Sequence, residues 1–492
     1  MSHSTVTTPG ESRDTTSAPD EARSSSGGLI VLYLSLGGLA FAVLQSLVAP
    51  ALSTLARELD ASTSDVSWVV TAYLLAASVL TPVLSRLGDI AGKRKVLIGV
   101  LSLLAGGTLL AALAPNLTVL IIARVIQGAG GAILPLSIAI VRDELPRERV
   151  SVVVGLLSAI FGVGAGVGIV GAGPIVEHLS WHWLFWLPLV LVVVALLGAV
   201  FGMKESPVRT PGRLDFLGAG ILAVALVSIL LAVSKGQEWG WSDGKTIGLL
   251  VLGVVAAVAF LRVESRSAEP LIDLKLMRIR GVWAADMVAL ILGFAMFGTF
   301  LMVPTLLQLP EATGYGFGES ASAAGLFLLP TVGMMIVFGP LSGLLDRRFG
   351  PKLPITLGAT FVTAGFVLPA VSHAEVWQVI ASGALVGAGI GLAFAGMATA
   401  LIASVPAAQT GEATGVNTIS RTIGGSLGTA AIAGILASST TAQGLPGDQV
   451  FTTGFWVCAG VAALAIVAAL ALPSIKHPAR DVPAAEPVAL QG

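Results

Sequence analysis

Fourteen stretches of mostly apolar residues follow one another through this chain with only short loops between them. A helix of about 20 such residues crosses the hydrocarbon core of a bilayer, so a chain made of them has no route to a water-soluble core. The stretches run near 28–50, 66–85, 96–114, 117–140, 150–176, 183–203, 216–233, 246–262, 282–308, 321–345, 353–371, 376–402, 413–437 and 453–472; they are numbered spans 1 to 14 below. Composition agrees. Apolar residues make up 55% of the chain and charged residues 11%, where soluble domains carry roughly 25% charge, and mean hydropathy is +0.91. The class is an all-α membrane protein with 14 transmembrane helices.

Several functions fall away at once. A net charge of −1 leaves no surface for a polyanion, so no nucleic-acid partner is expected. The single cysteine, Cys458, lies inside an apolar run and permits no internal disulfide. Residues 1–27 form a Ser-, Thr- and acid-rich segment without an apolar run, which reads as a disordered tail and not as a signal peptide. No nucleophile elbow, phosphate loop or metal-ligand set is visible, so neither catalytic residues nor a metal are expected. His178 and His182 flank Trp181 without metal-ligand partners, and Trp181, His182 and Trp183 read as an interface belt.

The loop after span 2, Leu84-Ser85-Arg86-Leu87-Gly88-Asp89-Ile90-Ala91-Gly92-Lys93-Arg94-Lys95, is short, basic and punctuated by glycine. It recurs after span 10 as Leu341-Ser342-Gly343-Leu344-Leu345-Asp346-Arg347-Arg348-Phe349-Gly350-Pro351-Lys352. Two copies in corresponding places predict an internal repeat of six plus six spans. The N-terminal bundle is then 28–203, two extra spans and a connector fill 204–281, the C-terminal bundle is 282–472, and 473–492 is a tail. Gly88, Asp89, Gly92, Lys93, Arg94, Asp346, Arg347, Arg348 and Gly350 are the candidate gate-loop residues. The connector, with Pro270-Leu271-Ile272-Asp273-Leu274-Lys275-Leu276-Met277, has the mixed apolar and basic character of a segment lying along the membrane surface.

Lys and Arg crowd into alternate segments: Arg13 and Arg23, the two gate loops, Arg142 to Arg149, Lys204 to Arg213, Arg262 to Arg280, and Lys476 with Arg480. The other set of loops holds only Arg57, Lys235 and Lys245. Positive charge marks the inner side, which places both termini in the cytoplasm and the protein in the plasma membrane as a multi-pass chain.

Glycine is dense within two spans. Span 5 carries Gly164, Gly168, Gly171 and Gly173 followed by Pro174, and span 12 carries Gly383, Gly387 and Gly391. Small residues four apart let helices approach closely; they serve either static packing or surfaces that rock. Charges inside spans are rarer and point to function. Arg124 in span 4, with Gln127 one turn on, and Arg421 in span 13, with Asn417 one turn before, are the intramembrane cations. Each either bridges backbone carbonyls or takes part in coupling or gating. Asp286, in the first turns of span 9, is the one acid inside a span. It either stabilises a helix start and pairs with Arg280, or it carries the coupling proton.

The 84–97 loop resembles the G-x-L-[GA]-D-x-x-G-[RK]-[RK] signature of the major facilitator superfamily. Arg124-Val125-Ile126-Gln127-Gly128-Ala129-Gly130-Gly131, with Pro135, Arg142 and Asp143, resembles its span-4 motif, and Gly168-Ile169-Val170-Gly171-Ala172-Gly173 its antiporter motif. Fourteen spans, Trp68 to Tyr73, Ser180-Trp181-His182-Trp183 and Arg421-Thr422-Ile423-Gly424-Gly425 are similar to the drug:proton antiporter branch. Three positions depart from the pattern: Ser85 replaces the usual Gly, Ile169 the usual Pro, and span 1 offers Gln45 but no Asp before Pro50. The resemblance implies a major-facilitator-type fold, two six-helix bundles related by a pseudo-two-fold axis plus two extra central spans. It further implies export of a hydrophobic or amphipathic small molecule by alternating access, powered by the proton gradient without a cofactor. The partners implied are lipid, that small molecule and protons, with no obligate protein partner. A dedicated metabolite exporter or an importer keeps the same fold. A receptor or channel fits the glycine-dense spans and paired loops less well.

Overall fold

In lipid every backbone polar group must be paired within the chain, so apolar stretches of this length become helices. The computed structural model describes residues 18–206, 212, 214–267, 270–438 and 445–473. Among them all fourteen spans are helical: Gly27–Ser46, Asp65–Ala91, Lys93–Ala112, Leu117–Glu144, Glu148–His178, Trp183–Gly202, Phe216–Gly236, Gly244–Glu264, Arg280–Gln308, Ala323–Phe349, Lys352–Val371, Val376–Ser404, Thr410–Ala437 and Asp448–Leu470. The expected charges Arg13, Arg23, Arg209, Arg213, Lys476 and Arg480 have side chains outside those described.

Polar side chains mark many helix starts. Ser62 accepts from the Asp65 N–H before span 2, Asn116 from Val119 at span 4, Asp215 from Gly218 at span 7 and Asp243 from Lys245 at span 8. Each satisfies a donor that the first turn cannot pair internally. Gly92 (φ +119°) and Gly350 (φ +80°) close spans 2 and 10 in a left-handed backbone conformation that suits glycine.

Three expectations need correction. Span 1 stops at Ser46, not 50, because Pro50 has no N–H to bond the Ser46 carbonyl four residues back and its ring crowds that carbonyl. Span 4 is two helices, Leu117–Gln127 and Ile133–Glu144, joined by a tight 3-10 turn over Gly128–Ala132. A Cβ on Gly128 would lie 2.5 Å from that of Ala76 in span 2, so the turn brings two backbones together where a larger residue would separate them. Span 10 is likewise interrupted, with helices Ala321–Leu326 and Leu329–Phe349 on either side of a break ahead of Pro330. In the connector, Leu271 and Ile272 are buried against spans 2, 7, 8 and 13.

The apolar core falls into two large clusters, one built from spans 1–6 and one from spans 9–14. Spans 5 and 10 pack against each other along the seam between them. Span 7 lies against spans 2 and 13, and span 8 packs on span 7. Span 12 is the most enclosed, with 89% of its apolar stretch buried, and span 8 the least, at 22%. Span 12 is therefore interior and span 8 is the outermost, lipid-facing helix.

Candidate functional site

The loops after spans 2, 4, 6, 8, 10 and 12 lie at one end of the molecule, called the basic end here. Asp89, at the close of span 2, is 1% exposed, and its Oδ2 accepts from the backbone N–H of Glu412 at 3.1 Å. A carboxylate at a helix start meets unpaired N–H groups and the positive end of the helix dipole. Gly411 allows the approach, since a Cβ there would sit 2.9 Å from both Asp89 oxygens. The Glu412 side chain returns the contact: it accepts from Arg86 Nη1 at 3.3 Å and from the backbone N–H of Asp273 in the connector. Beside it Arg142 of span 4 donates to the Val405 carbonyl at 3.0 Å and to the Thr410 hydroxyl. Spans 2 and 4 of one bundle are thus bonded to spans 12 and 13 of the other.

The remaining cations of the first loop stay within their own bundle. Lys93 pairs with Asp143, both buried, and Asp143 also accepts from Ser206 at 2.5 Å. Arg94 donates to the carbonyls of Ala199 and Val200, which end span 6. Glu205 accepts from the backbone N–H groups of Arg94 and Lys95, both at 3.1 Å, capping span 3 where Gly92 has no side chain to do so. The second loop is built differently. Asp346 is buried, but Arg347 and Arg348 are exposed and Lys352 donates to the Leu470 carbonyl at 2.7 Å.

Inside the membrane, Arg124 is fully buried. Its Nε donates to the Val69 carbonyl and its Nη1 to the Leu44 carbonyl, both at 3.0 Å, and to Gln127 Oε1 at 2.8 Å. Its guanidinium lies 3.9 Å from the centre of the Tyr73 ring, and Gln127 donates onward to Thr108 at 3.1 Å. This one side chain therefore ties spans 1, 2, 3 and 4 together. Arg421 is different: it rests over the Phe394 ring at 5.0 Å and makes no hydrogen bond or ion pair with a described residue. Asp286 is buried, and its Oδ1 accepts from Asn417 Nδ2 at 3.0 Å. It lies beyond the first turn of span 9, and Arg280 donates instead to the Ala471 carbonyl at 2.6 Å, so the expected pairing of those two is not made. Gln45 is half-buried on span 1.

The glycines divide by partner. Gly164 and Gly168 meet span 1, and Gly383, Gly387 and Gly391 meet span 10, each within its own bundle. Gly171 faces open space, and Gly173 and Pro174 lie near the exposed end of span 5. Close approaches across the seam are made by three other glycines of span 5, Gly155, Gly162 and Gly166: a Cβ on Gly155 would come 2.5 Å from the Gly339 carbonyl of span 10. Trp181 is buried and stacks on His182, so only Trp183 is exposed as an interface residue would be. Lys235 is not a loop residue but a buried one, donating to Ser67 at 2.6 Å and to Glu238 at 2.8 Å.

The family model described as Major Facilitator Superfamily matches residues 34–429 and 288–491. The chain belongs to the Major Facilitator Superfamily. Two relatives bracket the cargo question. The tetracenomycin C resistance and export protein of Streptomyces glaucescens is 29% identical over 413 residues, 83% of this chain and 76% of that protein. The uridine/deoxyuridine transporter of Lactococcus lactis is 29% identical over 399 residues, 78% and 81%. Among solved structures, the proton:xylose symporter XylE superposes with a TM-score of 0.63 at 14% identity, covering 90% of this chain and 95% of its own, and shares the fold. For a superfamily member, the charge network at the basic end is where the two bundles are bonded by polar groups, and sequence reasoning missed two of its acids. Glu412 stands one residue outside the apolar run of span 13, and Glu205 follows span 6 as an ordinary loop acid. Their scarcity at span ends was the only available signal.

Proposed function

We propose that this transporter exports hydrophobic or amphipathic small molecules by alternating access, driven by proton entry, with the basic end facing the cytoplasm in the plasma membrane. One observation carries the mechanism: Asp89 and Arg86 on one bundle and Glu412 on the other form a reciprocal bridge at the basic end. The bridge exists only while that end of the seam is closed, and it must break for a molecule to enter from the cytoplasm. Glycine contacts between spans 5 and 10 provide the close, low-friction surface on which the bundles rock. The resistance-and-export relative supports the direction and the class of cargo.

A second reading, movement of a polar metabolite such as a nucleoside, is favoured by the uridine/deoxyuridine relative. An efflux assay on a panel of amphipathic dyes, antibiotics and labelled uridine, with and without an uncoupler, separates the two. Uncoupler-sensitive loss of amphipathic compounds from the cells supports export. Movement of uridine alone overturns it.

A further inference from the structure

Two arginines stand inside the membrane, and only one is hydrogen-bonded to described residues: Arg124 donates through Nε and Nη1, while its buried Nη2 has no partner among them. Arg124 is wrapped by two carbonyls, an amide and a tyrosine ring. Arg421 has the Phe394 ring and nothing else among the described residues. It stands eleven residues into span 13, about 17 Å from the basic end at the helical rise and so close to the bilayer midplane. Its side chain is half-buried, so part of its surface is open and not packed against protein.

The direction of that open surface follows from Phe394. This ring belongs to span 12, the most enclosed helix, so Arg421 points inward and not toward lipid. The next residue, Ala395, lies beside Gly155 of span 5, with 3.5 Å between its Cβ and one placed on that glycine. Span 12, on which Arg421 rests, thus packs on span 5 at the seam between the bundles, the surface that alternating access would open. An unpaired guanidinium at this depth calls for a partner that comes and goes.

We propose that Arg421 recognises the transported molecule, and that this molecule is an amphipathic organic anion. Its carboxylate, phenolate or enolate would take the planar fork of Arg421, which suits two parallel charge-assisted hydrogen bonds. The Phe394 face holds the guanidinium by a cation–π contact, fixing the fork before the anion arrives. An aromatic or apolar body then lies along the surrounding apolar walls. This deepens the exporter reading and rests on it for the statement that the bound molecule is cargo.

The test uses purified full-length protein in detergent and two dyes with one xanthene skeleton: anionic fluorescein, and cationic tetramethylrhodamine methyl ester. Wild type should bind fluorescein saturably, and Arg421→Gln should bind it about tenfold more weakly or worse, as loss of charge-assisted hydrogen bonds implies. Arg421→Lys should fall between them, and Phe394→Leu should weaken the anion while leaving the charge in place. The cationic dye should gain nothing from Arg421 and so bind Arg421→Gln at least as well as wild type, and a thermal-unfolding midpoint close to wild type shows that the variant is folded. Unchanged fluorescein affinity in Arg421→Gln, or no saturable fluorescein binding by wild type, overturns the proposal. Efflux of fluorescein from cells is scored separately: its failure while fluorescein binding is intact counts against the exporter reading and not against the anion site.

Discussion

Asp89 accepts from the backbone N–H of Glu412 at 3.1 Å, while the Glu412 side chain reaches back to Arg86, three residues before Asp89 on the same helix, at 3.3 Å. Each bundle thus presents an acid to the other. One acid meets a helix start and the other a guanidinium. Both contacts are buried and both cross the seam, so they form or break together as the basic end closes or opens.

Replacing Asp89 with Ala removes the acceptor at the start of span 13 without touching either hydrophobic core. Transport per molecule should fall about tenfold, the effect of losing roughly 1.4 kcal/mol from one state of the cycle, while the amount in the membrane stays near wild type. Vesicle export normalised to immunoblot measures this. Normal export by Asp89→Ala would mean that the contact is incidental to the cycle.

Arg86 and Glu412 allow a stricter test, because breaking a buried pair from one side leaves an uncompensated charge, at about 3–5 kcal/mol. Each single change, Arg86→Gln or Glu412→Gln, should therefore loosen the basic end more than the double change does. A cysteine at Ser85, which is buried beside Gly415 in the closed seam, reports the loosening as faster modification by a thiol reagent. Strictly additive labelling rates across the double-mutant cycle would show that the two side chains do not act as a pair.

The fold was largely legible because the bilayer writes it into hydropathy: a helix crossing hydrocarbon must be long and apolar wherever it packs. The network at the basic end was legible only by halves. Asp89 stood out because it sits in a repeated basic loop, but Glu412 has meaning only through contacts with residues 139 to 326 positions away. The 3-10 turn at Gly128–Ala132 is apolar throughout, so hydropathy passes over it; it arises from backbone contact with span 2. Arg124 and Arg421 looked alike in sequence, each an arginine one turn from an amide. Whether such a residue meets carbonyls or open space is settled by neighbours from other helices, which no local pattern records.

Arg124 should behave as a structural tie. Three hydrogen bonds from its guanidinium hold spans 1 and 2 and Gln127, and bonds to a charged group contribute about 1.5–3 kcal/mol each. Arg124→Ala should therefore lower the unfolding temperature and the folded yield sharply. Arg124→Lys, which keeps the charge but not the fork, should do so less. Thermal unfolding in detergent decides it: a wild-type midpoint in Arg124→Ala would show that the carbonyls of Leu44 and Val69 need no partner.

Two glycines of span 5 should respond in opposite ways. Gly155→Val places bulk where a Cβ already approaches the Gly339 carbonyl to 2.5 Å, so spans 5 and 10 must separate and transport should be lost. Gly171→Ala faces open space and should transport like wild type. The comparison is made in one export assay on matched membrane amounts. Equal activity in both variants would remove the seam from the mechanism.

Proton coupling is tested at Asp286. Its carboxylate is buried, receives a hydrogen bond from Asn417, and has no cation paired with it among the described residues. Such a site can take up or release a proton without breaking an ion pair, unlike Glu412, which is held by Arg86. It also joins spans 9 and 13, and Arg421 lies one turn along span 13 from Asn417, so a change in the Asp286–Asn417 bond is felt next to the proposed anion site. Asp286→Asn keeps the shape and the polar character but cannot carry a proton. In vesicles with an imposed pH gradient this variant should lose uphill export, while exchange of labelled for unlabelled substrate without a gradient continues at close to the wild-type rate. Uphill export retained by Asp286→Asn would exclude this carboxylate as the coupling group. Loss of both activities would instead mark the Asp286–Asn417 bond as a structural link between spans 9 and 13.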